Sequence, residues 1–142
     1  RTVFLFDYYR GALPALPREK KTVVLASHGH GDHYHRRIFD LRGKCRDLVY
    51  CLDRTVAVPD SLKGDGIRYI SPGEKVVFPD EEGLSVTAFF STDIGSAFLA
   101  EAEGKLLFHA GDLNIWYWEG EEEADNLWQE KTFREEGDRN GV

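Results

Sequence analysis

Residues 27–33 read Ser-His-Gly-His-Gly-Asp-His, and no other stretch constrains the chain so strongly. Three imidazoles and a carboxylate in six consecutive positions are poor material for an apolar core and good material for holding a cation. Neutral imidazole and carboxylate together suit zinc, iron or manganese. Gly29 and Gly31 lie between the donors, where glycine lets the backbone turn tightly enough for neighbouring side chains to converge. The preceding run, Lys21-Thr22-Val23-Val24-Leu25-Ala26, is short, apolar and β-branched, which predicts a buried strand ending where the donors begin. His28, His30, Asp32 and His33 are thus expected on a strand-to-helix loop.

The same reading extends along the chain. Residues 2–6 are nearly all apolar, as in a strand covered on both faces, and Asp7 stands at its end. Pro14 and Pro17 mark an irregular connection to the second strand. After the histidine cluster, residues 36–42 carry apolar side chains at helical spacing up to Gly43, predicting a short helix. The positive end of that helix is expected to face the loop and to favour carboxylates or an anionic substrate group. His35, Arg36 and Arg37 read as solvated side chains of its first turn. Strands are expected over 47–52 and 67–70, with Val56-Ala57-Val58 as a further apolar run before Pro59. Residues 75–78 and 84–90 read as one hairpin, and 97–102 with 105–109 as another, turning at Glu103-Gly104. An amphipathic helix is expected over 124–136, following the solvated charge run 119–123. Many strands and few helices make a β-rich α/β chain without an internal repeat or a linker.

Composition bounds the function class. The 142 residues include 42% hydrophobic side chains, enough for one core and one domain spanning 1–142. The net charge of −7 argues against general nucleic-acid binding through a basic surface. No apolar run approaches the roughly 18 residues of a membrane-spanning helix. Cys45 and Cys51 read as reduced thiols of a cytoplasmic protein rather than as a disulfide. The chain begins at Arg1 within a strand-like run and has no methionine, so its natural start is expected to be missing.

The pattern HxHxDH after a hydrophobic strand resembles the signature of the metallo-β-lactamase superfamily, most of whose members are two-metal hydrolases. The resemblance spans residues 2 to about 135 and implies an αββα sandwich. Asp7 matches an aspartate that braces the metal loop in that family without ligating, an ordinary turn aspartate being the alternative. His109-Ala110-Gly111-Asp112 resembles the family's G-D motif, whose carboxylate bridges both metals, and this makes Asp112 a candidate bridge. Residues 91–96, Ser-Thr-Asp-Ile-Gly-Ser, occupy the place of a third histidine. Asp93 is the natural substitute ligand there, although aligning on Gly95-Ser96 puts Thr92 at that position. His109, at an odd offset from Asp112, is expected to pack or hydrogen-bond rather than ligate. Trp116 and Trp118 could wall a substrate pocket or fill the core. No histidine follows His109, so the sandwich is expected to be incomplete at both ends and to lack its final ligand.

The resemblance implies a hydrolase acting on a small-molecule substrate through a metal-activated hydroxide at a dinuclear zinc site, with manganese or iron as other occupants. His28, His30 and Asp93 would hold one ion, Asp32 and His33 the other, with Asp112 between them and Asp32 also orienting the nucleophile. A non-catalytic metal-binding or scaffold protein of the same fold is the alternative, and a di-iron redox protein is a third reading. The substrate and the oligomeric state are not written in the sequence.

Overall fold

The structure is a computed structural model and describes residues 2–64, 66–117 and 119–141. Strands β1 (Thr2–Phe6), β2 (Lys21–Ala26), β3 (Asp47–Asp53) and β4 (Ile67–Ile70) form a parallel sheet in chain order. Strands β5 (Lys75–Val77), β6 (Ser85–Phe90), β7 (Ser96–Ala102) and β8 (Lys105–His109) form an antiparallel sheet, also in chain order. The fold is mixed α/β. Parallel neighbours cannot be joined by a tight turn, so each connection in the first sheet must cross one of its faces. Between β2 and β3 that crossing is a helix over Arg36–Gly43.

Burial explains why β2 shows no polar alternation. Val23 and Leu25 point into the core between the sheets, against Val86, Ala88, Phe98 and Ala100 of the antiparallel sheet. Val24 and Ala26 point to the opposite face, where Ile38, Phe39 and Leu41 of the crossing helix cover them. The helix is fastened to β3 by Tyr50, whose hydroxyl donates to the Ile38 carbonyl at 3.1 Å and whose ring meets Phe39 at 4.9 Å. Each fully buried Val or Leu in these layers contributes about 1.5–3 kcal/mol.

The structure adds detail at three of the expected segments. The crossing helix is a 3-10 helix rather than an α-helix, and its first turn is capped from within the chain: the Arg37 N–H donates to His35 Nδ1 at 3.1 Å. Val56-Ala57-Val58 is not a strand, although Val56 and Val58 are buried beneath the same helix. Apolar residues there serve packing without sheet pairing. The C-terminal α-helix, α1 (Glu123–Asn140), is longer than expected and presents no apolar stripe to the core. Leu127 and Trp128 are exposed, and Asn126 is the buried residue of the helix. It is tied to the sheet through its last turn, where Asn140 Oδ1 accepts the Phe90 N–H at 2.7 Å, its amide donates to the Phe90 carbonyl at 3.0 Å, and Arg139 lies over the Phe90 ring. Its large apolar residues Leu127, Trp128 and Phe133 do not share one helical face, so the expected amphipathic stripe does not form. Among the described residues no helix is long and apolar enough to cross a membrane.

The hairpin between β7 and β8 turns at Glu103 and Gly104, both with positive φ (54° and 70°), as a two-residue turn requires. At the other end of the molecule the chain leaves β1, β2 and β3, enters β7 and leaves β8. Carboxyl ends of parallel strands are where open α/β sheets place their ligands, and the histidine cluster is there.

Cys45 and Cys51 are both free. Cys51 is wholly buried in β3, and burial pushes its thiol up to about 12. A thiol-alkylating reagent at pH 8 should therefore modify Cys45 in the folded protein and reach Cys51 only in denaturant. Equal labelling of both under native conditions, read by peptide mass spectrometry, would contradict the packing of β3.

Candidate metal centre

Asp7 organises the site. It follows β1 in a left-handed conformation (φ 45°), which aspartate tolerates better than most residues, and its N–H donates to the Leu25 carbonyl at 3.0 Å. Its carboxylate accepts four hydrogen bonds. Oδ1 takes the Ser27 N–H at 2.7 Å; Oδ2 takes the Ser27 hydroxyl at 2.7 Å, His33 Nδ1 at 2.8 Å and His109 Nε2 at 2.7 Å. Burial alone would raise its pKa, but the hydrogen bonds from His109, His33 and Ser27 outweigh it and hold the carboxyl at about 2.

An ionised Asp7 fixes the tautomer of His28. The single proton of the Ser27 hydroxyl goes to Asp7, so Ser27 Oγ can only accept from His28 Nδ1, 3.0 Å away. The lone pair of His28 is then on Nε2. That atom lies 3.1 Å from His30 Nδ1 and 3.3 Å from Asp112 Oδ2. His28 is fully buried; burial first, and then the facing His33, lower its pKa, which keeps the ring in the neutral form that a cation requires.

The donor set fits a divalent metal. One donor atom each of His28, His30 and Asp112 lies within 4.8 Å of the other two. Ligands at about 2.0–2.1 Å from a tetrahedral zinc ion stand roughly 3.3 Å apart, close to the separations of His28 from its two neighbours. The Ser27–Asp7 relay behind His28 is the outer hydrogen bonding that orients metal-bound imidazoles.

His33 stands on the other side of Asp112. Its Nδ1 donates to the ionised Asp7, and its Nε2 is 3.1 Å from Asp112 Oδ1 and 3.8 Å from Asp32 Oδ2. Burial disfavours its charged form, but the hydrogen bond and charge of Asp7, with the charges of Asp112 and Asp32, raise its pKa. Asp112 thus turns one carboxylate oxygen to each histidine. The Asp32 side chain is 72% exposed and remains at the rim.

The remaining sequence candidates divide. Asp93 is exposed and is not brought to the cluster. Its loop is turned by Thr92, whose Oγ1 lies 3.1 Å from the Asp112 carbonyl and 2.9 Å from that of Asn114 and accepts the Asn114 N–H at 3.1 Å. Thr92 therefore clips the Asp112 loop instead of ligating. His109 hydrogen-bonds to Asp7 and stacks on Phe6 at 4.9 Å. The alternation argument from Asp112 does not apply to it, because β8 stops at His109 and Gly111 (φ 56°) breaks the extended chain between them. Trp116 is half-buried in the segment after Asp112, and Trp118 lies outside the described residues. Sequence reasoning missed Ser27 as the link between Asp7 and His28, although it opens the quoted motif.

Close approach, more than turning, explains the glycines. Gly31 faces open space, whereas a Cβ on Gly29 would lie 2.8 Å from the Thr55 carbonyl oxygen. Gly95 (φ 89°) is tighter still: a Cβ there would lie 2.2 Å from the Ser27 carbonyl oxygen and 2.5 Å from His28 Cβ. Gly95→Ala should cost at least about 2 kcal/mol through backbone strain and collision, while Gly31→Ala should stay within about 0.5 kcal/mol. Thermal unfolding of both variants measures the contrast; equal melting temperatures would mean that the 91–96 loop does not press on Ser27.

Compared with known proteins, the chain matches no family model and no curated protein.

Proposed function

We propose that this chain carries the metal-binding core of a metal-dependent hydrolase of the metallo-β-lactamase superfamily, acting on a small-molecule substrate. The observation that carries the reading is the convergence of His28 Nε2, His30 Nδ1 and Asp112 Oδ2 at the end of two stacked sheets. Zinc suits two imidazoles and a carboxylate best, with manganese or iron as competitors. Bound there, the ion supplies a Lewis acid and brings the pKa of a water toward 7.

The chain's own residues have distinct tasks in this reading. Asp7 and Ser27 orient His28 and keep its Nε2 lone pair inward. Asp112 would be the carboxylate shared between two positions; its two oxygens, one toward His28 and one toward His33, support that reading. Asp32, exposed and 3.8 Å from His33 Nε2, would orient the attacking water. Trp116, half-buried after Asp112, would wall the substrate side. One observation favours the alternative of a non-catalytic protein holding a single ion: among the described residues, one group of three donors converges, and Asp93 is not part of it.

Elemental analysis after zinc loading and dialysis should find at least one ion per chain, and the His28→Ala/His30→Ala variant should lose it. Wild-type stoichiometry in that variant would place the metal elsewhere. Turnover of an activated ester or phosphodiester that disappears in Asp32→Asn, with zinc retained, supports the hydrolase; zinc binding without turnover supports the single-ion alternative.

Asp7→Asn keeps the shape of the side chain but removes its charge and one acceptor oxygen. Outer partners of this kind are worth about 10- to 100-fold in metal affinity. Chelator competition should show a loss of that order, and an unchanged affinity would reduce Asp7 to a turn residue.

A further inference from the structure

Asp53 is a buried carboxylate that touches none of the proposed donors. It ends β3 with 2% of its surface exposed. Its Oδ1 accepts the Thr55 N–H at 2.8 Å and the Thr55 hydroxyl at 2.7 Å, and its Oδ2 accepts the Ser96 hydroxyl at 2.5 Å. A fully buried carboxylate is costly unless its acceptor sites are filled, and here three donors fill them.

Both arms of Asp53 end beside His28. On one side, Ser96 donates its own N–H to the Ser27 carbonyl at 2.9 Å, and that carbonyl is the atom against which Gly95 is pressed. On the other side, Thr55 sets its carbonyl oxygen 2.8 Å from where a Gly29 Cβ would stand, so it lies against the chain between His28 and His30. The carboxylate thus spans the two sheets, from β3 to the first residue of β7, and reaches the residues immediately before and after His28.

We propose that Asp53 is a positioning residue for the metal centre, fixing the backbone on both sides of His28 through Ser96 and Thr55 and so setting the spacing of His28 from His30 and Asp112. Asp7 orients the His28 ring through its side chain; Asp53 locates the backbone that carries the ring. The two carboxylates act on different degrees of freedom. This inference rests on the reading of His28, His30 and Asp112 as a metal site.

The test uses the whole chain, with zinc affinity by chelator competition and the visible absorption of the cobalt(II)-substituted protein as readouts. Asp53→Ala, Asp53→Asn and Ser96→Ala are compared with Leu84→Ala. Leu84 is a buried core residue just before β6, at the far end of that strand from the 91–96 loop, so its loss weakens the core without touching the site. Asp53→Ala should lower zinc affinity about 10-fold or more and change the cobalt band positions. Asp53→Asn should recover part of both, because its amide oxygen can accept from Thr55 and its NH2 can donate to Ser96 Oγ. Ser96→Ala should give a smaller loss of the same kind, and it keeps the test decisive if Asp53→Ala does not fold. Leu84→Ala should leave the cobalt spectrum unchanged. The proposal is overturned if the Asp53 and Ser96 variants match wild type in affinity and spectrum, or if Leu84→Ala reproduces their losses. A wild-type protein that binds neither zinc nor cobalt overturns the metal reading itself, an outcome distinct from normal binding in the variants.

Discussion

The carboxylate of Asp7 is the interaction on which the rest of the site depends. It joins three separate pieces of chain: the end of β1, the loop after β2 that carries Ser27 and His33, and the end of β8 with His109. Hydrogen bonds to a charged acceptor contribute about 1.5–3 kcal/mol each, and four converge here in a half-dry setting. Their combined effect is visible in the depressed pKa of the carboxyl despite its burial. The left-handed backbone at Asp7 is an unfavourable local conformation. It persists because the surrounding hydrogen bonds over-determine it.

From this anchor the polarity of the site follows step by step. Ionised Asp7 accepts the hydrogen bond of the Ser27 hydroxyl, Ser27 Oγ then accepts from His28 Nδ1–H, and the His28 lone pair is left facing inward on Nε2. The same carboxylate accepts from His33 Nδ1–H, and His33 Nε2 faces Asp112. Two histidines of one loop are therefore biased in opposite directions. His28, shut off from water and facing another imidazole, is held neutral. His33, ringed by Asp7, Asp112 and Asp32, is biased toward its charged form. The neutral ring is a ready donor, whereas the charged ring must give up a proton before it can serve as one.

Much of this was legible in the chain itself. Strands with uniformly apolar faces, such as β2, announce themselves because a sheet covered on both sides leaves no polar alternation to find. The candidate donors His28 and His30, and Asp112 far along the chain, are legible because chemistry restricts which residue types can hold a cation. What was not legible depends on contacts distant in sequence. Ser27, Asp53 and Ser96 are ordinary turn residues by composition, and their roles arise only when β3 and β7 are brought to one end of the molecule. Asp93 stays exposed because a carboxylate at the right place along the chain need not turn inward; the Thr92 hydroxyl, close to the Asp112 and Asn114 carbonyls and accepting the Asn114 N–H, ties the loop there. In helix α1, three apolar residues without a common face do not make a buried stripe.

The two sheets contribute unequally to the site, and the inequality has a structural reason. The parallel sheet delivers Asp7, the histidine loop and Asp53 from the ends of three adjacent strands, so their mutual spacing is set by the regular separation of about 4.8 Å between strands. Asp112, in contrast, comes from the antiparallel sheet across the core, and its distance from His28 depends on how the sheets are stacked. Nothing in the register of either sheet alone fixes that distance. Besides the apolar core between the sheets, polar contacts cross at this end: Asp53 to Ser96, Ser27 to Ser96, and Asp7 to His109. Each crosses from the parallel sheet to the antiparallel one, at the end of the molecule where His28 and Asp112 meet. Glycines at 95 and 111 let the two layers meet there, because a Cβ at either position would press on Ser27. The polar pins and the missing side chains are thus two parts of one device, which brings a carboxylate from one sheet to within 3.3 Å of an imidazole carried by the other.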